Sequence, residues 1–474
     1  MTHHSTEPFS APHRAAGWFT LAMGVVIVIA LGLHFGTRVR SLPNVRDEYL
    51  MKAPIDAILH DGWSMRTAVD YQEVKGPVFF WMYALPGEVL GDSIHAMRVV
   101  SLGWFILGAW PLLLIARRAG VTPPVWPLVG LFYGLAPYNA FVAQLLMSEP
   151  SFNLLALWMM WAAMRGLSKQ AEAGAEGAVH ASHPSPRLDW LALTVFTVTL
   201  SMLLHHRPHA LALAGAAALT AIERRRFASW PWLAACMLAG LSRLPLYLRW
   251  GGMVTSDYQG LFGFGLRVDG LTYLLAAVLP WTGAFLVAAA LAPTARRRWR
   301  LPLAAGAAGV ALGLAFPPDL SAKVVYTLPS GEVKQQAEYA GVVTTALRSI
   351  TPEGWVRAWA LALLAGAGAA SIASMIVLGR RARGGSPEST APPHAGHDDK
   401  AASRLAFWTL ACGLPLYIIT AGPVYDRYLV VWAVLMPVVW LRLLPWPVAV
   451  FQTLLHAGML VSLANDWLMG ARHG

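Results

Sequence analysis

Apolar runs close to the length of a bilayer-crossing helix recur along this whole chain, and clusters of arginine fall on every second connection between them. A spanning helix needs roughly 20 predominantly apolar residues, and about thirteen stretches approach that length. They are 17–36, 77–116 (an interfacial or re-entrant helix, then a span from Ile94), 124–143, 151–166, 189–204, 209–222, 228–247, 271–292, 301–316, 356–378, 404–421, 428–443 and 446–464. A lipid environment leaves the backbone only helices or closed barrels, and runs this long specify helices. The expected fold is an all-α polytopic membrane protein of about thirteen transmembrane helices, with interfacial helices in the first external loop. All 474 residues are expected to form one integral membrane domain.

The arginines set the orientation. Arg117-Arg118, Arg224-Arg225-Arg226, Arg296-Arg297-Arg298 with Arg300, and Arg380-Arg381 with Arg383 mark cytoplasmic connections. Residues 1–16 then form a cytoplasmic tail, and the polar stretches 167–187 and 384–403 read as disordered cytoplasmic loops. The run from Trp18 to Phe35 is long for a signal peptide and lacks a small-residue cleavage site, so it reads as the first anchor of a multi-pass protein of the inner (plasma) membrane. Composition agrees: 56% of residues are hydrophobic and 13% charged, against about 25% charged in soluble proteins. The net charge of +11 belongs mostly to the arginine clusters, so it reports topology and gives no reason to invoke nucleic acid. Cys236 and Cys412 lie within apolar runs and no CxxC occurs, which leaves no cysteine metal site or disulfide framework.

The opposite, external face holds the chemistry. Its connections are 37–93, 144–150, 205–208, 248–270, 317–355 and 422–427. The first carries Asp47-Glu48-Tyr49, followed by a stretch to Leu59 in which Leu50, Ala53, Ile55, Ala57 and Ile58 tend to one side of a helix. Such a helix lies along the interface, where apolar surroundings raise a carboxylate's pKa toward that of a working general base. Further on, Lys75-Gly76-Pro77 marks the return into apolar sequence; a lysine at that depth either snorkels or meets a lipid phosphate. Glu149-Pro150 suits a helix N-terminus. His205-His206-Arg207-Pro208 crowds a short connection, where Arg207 matches phosphate oxygens; a divalent metal held with Glu149 or Asp47 is the alternative, and no cofactor is assigned. Late in the chain, Asp426-Arg427-Tyr428 precedes another run, and 317–355, with Lys323, Glu332, Lys334, Glu338 and Tyr339, reads as a small external cap. There is no Walker loop, no nucleophile-elbow Gly-x-Ser-x-Gly and no His-Glu-x-x-His.

The succession of a first span, Asp47-Glu48-Tyr49, Gly62-Trp63, Lys75-Gly76-Pro77 with Phe80-Trp81, Leu90-Gly91 and Arg98 resembles the GT-C superfamily of membrane glycosyltransferases. The resemblance is strongest to the branch of protein O-mannosyltransferases, aminoarabinose transferases and Rgt-like transferases, and it covers residues 17–166 in detail. Lys-Gly-Pro stands where that family has Lys-Pro-Pro, and Glu149 stands where it often has aspartate. The resemblance implies that Asp47 is the catalytic base, and that Glu48, Tyr49, Lys75, Glu149, His206, Arg207, Arg427 and Tyr428 serve donor and substrate. The function it implies is inverting transfer of a sugar from a polyprenyl-phosphate-linked donor to a lipid, glycan or protein acceptor at the external (periplasmic) face. A polysaccharide polymerase or ligase using a lipid-linked donor is the alternative enzyme. A secondary transporter places ionisable groups near the bilayer midplane, whereas here they gather at one face. Membrane lipids and the polyprenyl-phosphate sugar are the expected partners.

Overall fold

The computed structural model describes residues 11–39, 42, 46–71, 73, 75–176, 188–223, 229–252, 254–255, 265–291, 299–327, 333–337, 339–352, 354–383, 395–418, 424–425, 439 and 441–473. It is helical nearly throughout. In chain order the helices are α1 (Ala11–Arg38), α2 (Arg46–Asp61), α3 (Met65–Val69), α4 (Pro77–Leu90), α5 (Ile94–Arg118), α6 (Trp126–Leu135), α7 (Pro137–Val142), α8 (Glu149–Glu176), α9 (Trp190–His206), α10 (Ala210–Glu223), α11 (Trp230–Ser242), α12 (Leu244–Trp250), α13 (Val268–Leu291), α14 (Arg300–Ala315), α15 (Val342–Ile350), α16 (Trp355–Arg383), α17 (Ala395–Ile418) and α18 (Trp446–His473). Among the described residues, four segments are long and apolar enough to cross a membrane: Phe19–Arg38, Ile94–Arg118, Val268–Leu291 and Trp355–Leu378; shorter apolar helices include Trp190–His206, Ala210–Glu223, Arg300–Ala315 and Trp446–Val461. The chain is a multi-pass membrane protein.

Local chemistry sets the helix ends. Ser93 caps α5 by accepting the Ala96 N–H at 3.1 Å, and Arg117 and Arg118 close its last turn, where the helix dipole favours cations. Asp189 caps α9 through the Ala192 N–H at 3.1 Å and also accepts from Arg165 Nε at 2.8 Å, which ties α8 to α9 at the arginine-rich end. Arg98 to Arg118 is twenty residues of continuous helix, a rise of about 30 Å. Whatever surrounds Arg98 is therefore a membrane's thickness away from Arg117-Arg118.

Two expected spans are broken. The run 124–143 divides into α6 and α7 at Ala136-Pro137, and 228–247 divides into α11 and α12 at Arg243, two residues before Pro245. Proline has no N–H for the helix ladder and disfavours helical geometry in the residue before it. Most of the expected span 428–443 lies outside the described residues, with Leu441–Leu443 a short 3-10 turn. The presumed disordered stretches are helical in part, since α8 continues to Glu176 and α17 starts at Ala395; alanine, glutamate and lysine there have high helix propensity. The 317–355 connection contains an antiparallel hairpin, β1 (Lys323–Thr327) with β2 (Val333–Ala337). After it, β3 (Tyr339–Ala340) pairs in parallel with β4 (Val424–Tyr425), in the register Tyr339 to Val424.

Two sets of helices stand out in the packing. In one, α16 lies between α13 and α14, and glycines permit the approach: a Cβ on Gly368 would stand 1.8 Å from the Leu275 carbonyl oxygen, and one on Gly313 would stand 2.6 Å from Ala362 Cα. Small residues at helix crossings give dispersion contact where lipid offers no hydrophobic drive. In the other, α8 packs on α5 and α9, and α17 crosses to α10 and α8. Gly215 of α10 faces Cys412 of α17.

Candidate active site

Asp47 and Glu48 occupy the first turn of α2, where the helix dipole favours carboxylates. Adjacent residues on a helix point about 100° apart, and here that difference separates their fates. Glu48 joins Met51, Ile55 and Ile58 on the buried face, each at most 1% exposed, while Asp47 is half-buried and Tyr49 is exposed. The expected apolar face is thus rotated: Leu50 and Ala53 are exposed, and Met51 takes the interior position. Both Glu48 oxygens bond to Arg98 of α5, Oε1 to Nε at 2.8 Å and Oε2 to the terminal nitrogen at 2.6 Å. Oε1 also accepts the Leu146 N–H at 2.8 Å. The Arg98 guanidinium donates in addition to the carbonyls of Val39 (2.9 Å) and Leu42 (3.0 Å) at the end of α1.

The segment leading to α4 is strapped from several sides. Arg249 of α12 forms a two-pronged ion pair with Asp70, which holds the Asp70 carboxyl below its usual pKa, chiefly through that hydrogen bond. Thr255 donates to the Glu73 carbonyl at 3.1 Å, and Tyr71 donates its hydroxyl to the Lys75 carbonyl at 2.9 Å. The Tyr71 ring packs edge-on against Phe80 at 4.5 Å. Lys75 Nζ reaches Glu73 Oε1 at 3.0 Å, both side chains being largely buried. Gly76 N–H donates to the His206 carbonyl at 2.8 Å, and a Cβ on Gly76 would lie 1.9 Å from the His205 carbonyl oxygen. Only glycine permits that contact. Gly76→Ala is expected to separate the Lys75 segment from α9 and to lower the unfolding midpoint in detergent by several degrees; an unchanged midpoint would contradict this reading of the contact.

A second acid–cation pair stands beside the first. Glu149 opens α8, and Arg207 follows the last residue of α9; the two meet at 2.9 Å, 4% and 11% exposed. Arg207 also donates to Ser148 Oγ. His206 is fully buried, packed between Phe79 (5.5 Å) and Phe152 (5.6 Å), with Nε2 2.8 Å from Ser151 Oγ. Arg243, 1% exposed, stands over the Tyr247 ring at 5.1 Å, and the hydroxyl of its neighbour Ser242 meets His205 Nε2 at 3.2 Å, which puts a third cation at this end of the bundle.

The structure thus brings Lys75, Glu149, His206 and Arg207 together through the Gly76–His206 and Arg207–Glu149 contacts. It joins Asp47 and Glu48 to them through Leu146, three residues before Glu149. Arg427 and Tyr428 lie outside the described residues; β4, just before them, pairs with the 317–355 connection. Sequence reasoning passed over Glu73, Ser148 and Ser151, and saw Arg98 only as part of a pattern. A lone arginine four residues into an otherwise apolar helix was the available signal. Among the described residues, the group with metal-ligand spacing is Asp56, His60 and Asp92, with ligand atoms within 4.8 Å of one another. Its α2 members, Asp56 and His60, lie about 2.5 and 3.6 turns along the helix from Asp47, and Lys52 already binds both Asp56 oxygens at 2.6 and 2.5 Å.

No protein-family model matches the chain, and no curated protein matches it. Among solved structures it is similar to ArnT from Cupriavidus metallidurans bound to undecaprenyl phosphate, with TM-score 0.40 and 13% identity over 92% of this chain and 77% of that one. The apo state of the same protein gives TM-score 0.38 and 14% identity over 94% and 78%.

Proposed function

We propose that this protein is a membrane glycosyltransferase of GT-C type. In this reading it transfers a sugar from a polyprenyl-phosphate-linked donor to a hydroxyl of a lipid, glycan or protein acceptor at the external membrane face. The observation that carries the reading is the gathering of Lys75–Glu73, Arg207–Glu149 and Arg243 with the half-buried Asp47 at one end of the bundle. That end lies a helix length from Arg117-Arg118. Donor tail, donor phosphate and acceptor hydroxyl meet at that depth: the tail among helices, the phosphate on cations, the hydroxyl beside a carboxylate.

In the proposed reaction, Asp47 accepts the acceptor's hydroxyl proton as its oxygen bonds to the anomeric carbon. The bond from that carbon to the phosphate oxygen breaks, its electron pair leaves with the lipid phosphate, and a single displacement inverts the anomeric centre. Lys75, Arg207 and Arg243 stabilise the charge that grows on the departing phosphate. Glu73 and Glu149 hold two of these cations in place before the donor arrives, so little reorganisation is needed when it binds. Arg427 and Tyr428 would complete the phosphate end, and Tyr49, exposed one position past the carboxylates, would contact the acceptor side.

A strain lacking the protein is expected to accumulate a lipid-linked sugar that the parent strain consumes, detectable by mass spectrometry of the extracted lipids; unchanged lipid-linked pools would overturn the proposal. The donor role of Lys75 has its own test. Lys75→Ala is expected to lower turnover of the accumulated lipid at least about 100-fold, in the range seen when one transition-state donor is removed, and Lys75→Arg to recover part of it. Equal, small effects of the two substitutions would mean that this lysine only snorkels.

A further inference from the structure

We propose that Glu48 and Arg98 are positioning residues, a buried pair that fixes where the Asp47 carboxylate stands relative to Glu149 and Arg207. The inference rests on the reading of Asp47 as the base, and it assigns to its neighbour a role different from the donor contact expected from sequence. Both side chains of the pair are completely buried, so a donor in the site reaches neither.

The pair is a junction of three chain segments. The guanidinium holds the Val39 and Leu42 carbonyls, fixing the link from α1 into α2. Its two nitrogens grip Glu48, and Glu48 in turn accepts the Leu146 N–H from the connection that ends in Glu149. Glu48 is the residue after Asp47 on a regular helix, so their Cα atoms are about 3.8 Å apart and move as one. Met51, Ile55 and Ile58 of α2 pack in one apolar cluster with Leu145, Leu146 and Met147 of that connection, and the Glu48–Leu146 hydrogen bond adds the directional contact between them. Tyr83 supports the far side of that segment, donating to the Met147 carbonyl at 2.7 Å from within α4. Stability alone does not call for such a pair, because burying two charges costs about as much as their attraction returns, and apolar residues of similar volume commonly do as well. What apolar residues lack is direction. A fork-on-carboxylate contact admits one orientation, and a reacting group displaced by about 1 Å can lose roughly 100-fold in rate.

The test is the double variant Glu48→Leu with Arg98→Met, compared with Asp47→Asn in the full-length protein. Three quantities are measured: the unfolding midpoint and the affinity for polyprenyl phosphate, both in detergent micelles, and single-turnover transfer from the lipid-linked sugar fraction of cells lacking the protein. Positioning predicts a polyprenyl-phosphate affinity within about 3-fold of the parent with transfer slowed about 100-fold, and a lower unfolding midpoint, because the Val39 and Leu42 carbonyls and the Leu146 N–H lose their partners. Transfer at the parental rate in the double variant would overturn the inference. If that variant does not fold, Glu48→Asp decides: it keeps the charge pair but draws α2 toward Arg98 by one methylene. Slowed transfer at parental midpoint and affinity supports positioning, and an unchanged rate refutes it. Undiminished transfer by Asp47→Asn would instead remove the base reading, whatever the pair's variants do.

Discussion

Asp47→Asn is expected to reduce sugar transfer about 1,000-fold, within the range general-base catalysis contributes, while the protein still inserts, folds and binds polyprenyl phosphate. The substitution changes one atom and leaves the α2 stripe of Glu48, Met51, Ile55 and Ile58 intact. An amide cannot take the acceptor's proton, so the loss belongs in the chemical step and in turnover rather than in donor affinity. Half-burial at the first turn of α2 leaves Asp47 reachable by an acceptor hydroxyl. Single-turnover rates with saturating donor, beside binding of the lipid phosphate alone, make the measurement. Weakened binding with an unchanged rate would assign Asp47 to the donor instead.

The largest effect on stability is expected from Arg207→Ala. Glu149 is 4% exposed, and removing the cation beside a carboxylate so deeply placed costs about 3–5 kcal/mol. The same change deprives Ser148 of its donor at the point where α8 and α9 meet. Thermal unfolding in detergent should show the loss directly, with Arg207→Lys recovering part of it through charge without the planar fork. Adding Glu149→Gln to Arg207→Ala should restore stability but not transfer, because the buried charge is then gone while the proposed phosphate contact is still missing. An Arg207→Ala protein as stable as the parent would show that water or lipid headgroups reach Glu149.

Length and hydropathy were enough to read the helical, multi-pass class, since it is set by residue counts that a hydropathy window measures. The breaks at Pro137 and Pro245 escaped that reading because an averaged window does not register a missing N–H. The face of α2 was misjudged for a different reason. At a membrane surface an apolar residue such as Leu50 can turn toward lipid as readily as toward protein, so hydrophobicity alone does not find the inner face. Glu48 with Met51, Ile55 and Ile58 does have helical spacing, but only a charged residue's partner reveals why it lies inside. That partner, Arg98, is 50 residues away. Likewise, Lys75 and Arg207 stood out as interfacial cations, whereas their pairing with Glu73 and Glu149 is a property of the folded chain. Hairpin β1–β2 was missed because its strands are five residues each, too short for alternation to assert itself.

The crossing of α17 onto α10 and α8 has a consequence in time. During synthesis, α10 is complete roughly 170 residues before α17 begins, an interval of roughly 10–35 s at ordinary elongation rates. Throughout it the part of α10 around Gly215, which faces Cys412 in the folded chain, lacks the helix that later covers it. Lipid can cover it at little cost, because acyl chains suit alanine as well as a helix does, and Thr220 already satisfies its hydroxyl on the Ala216 carbonyl of its own helix at 2.7 Å. The nascent bundle can therefore wait for its late-arriving helix inside the bilayer without a chaperone to shield that surface.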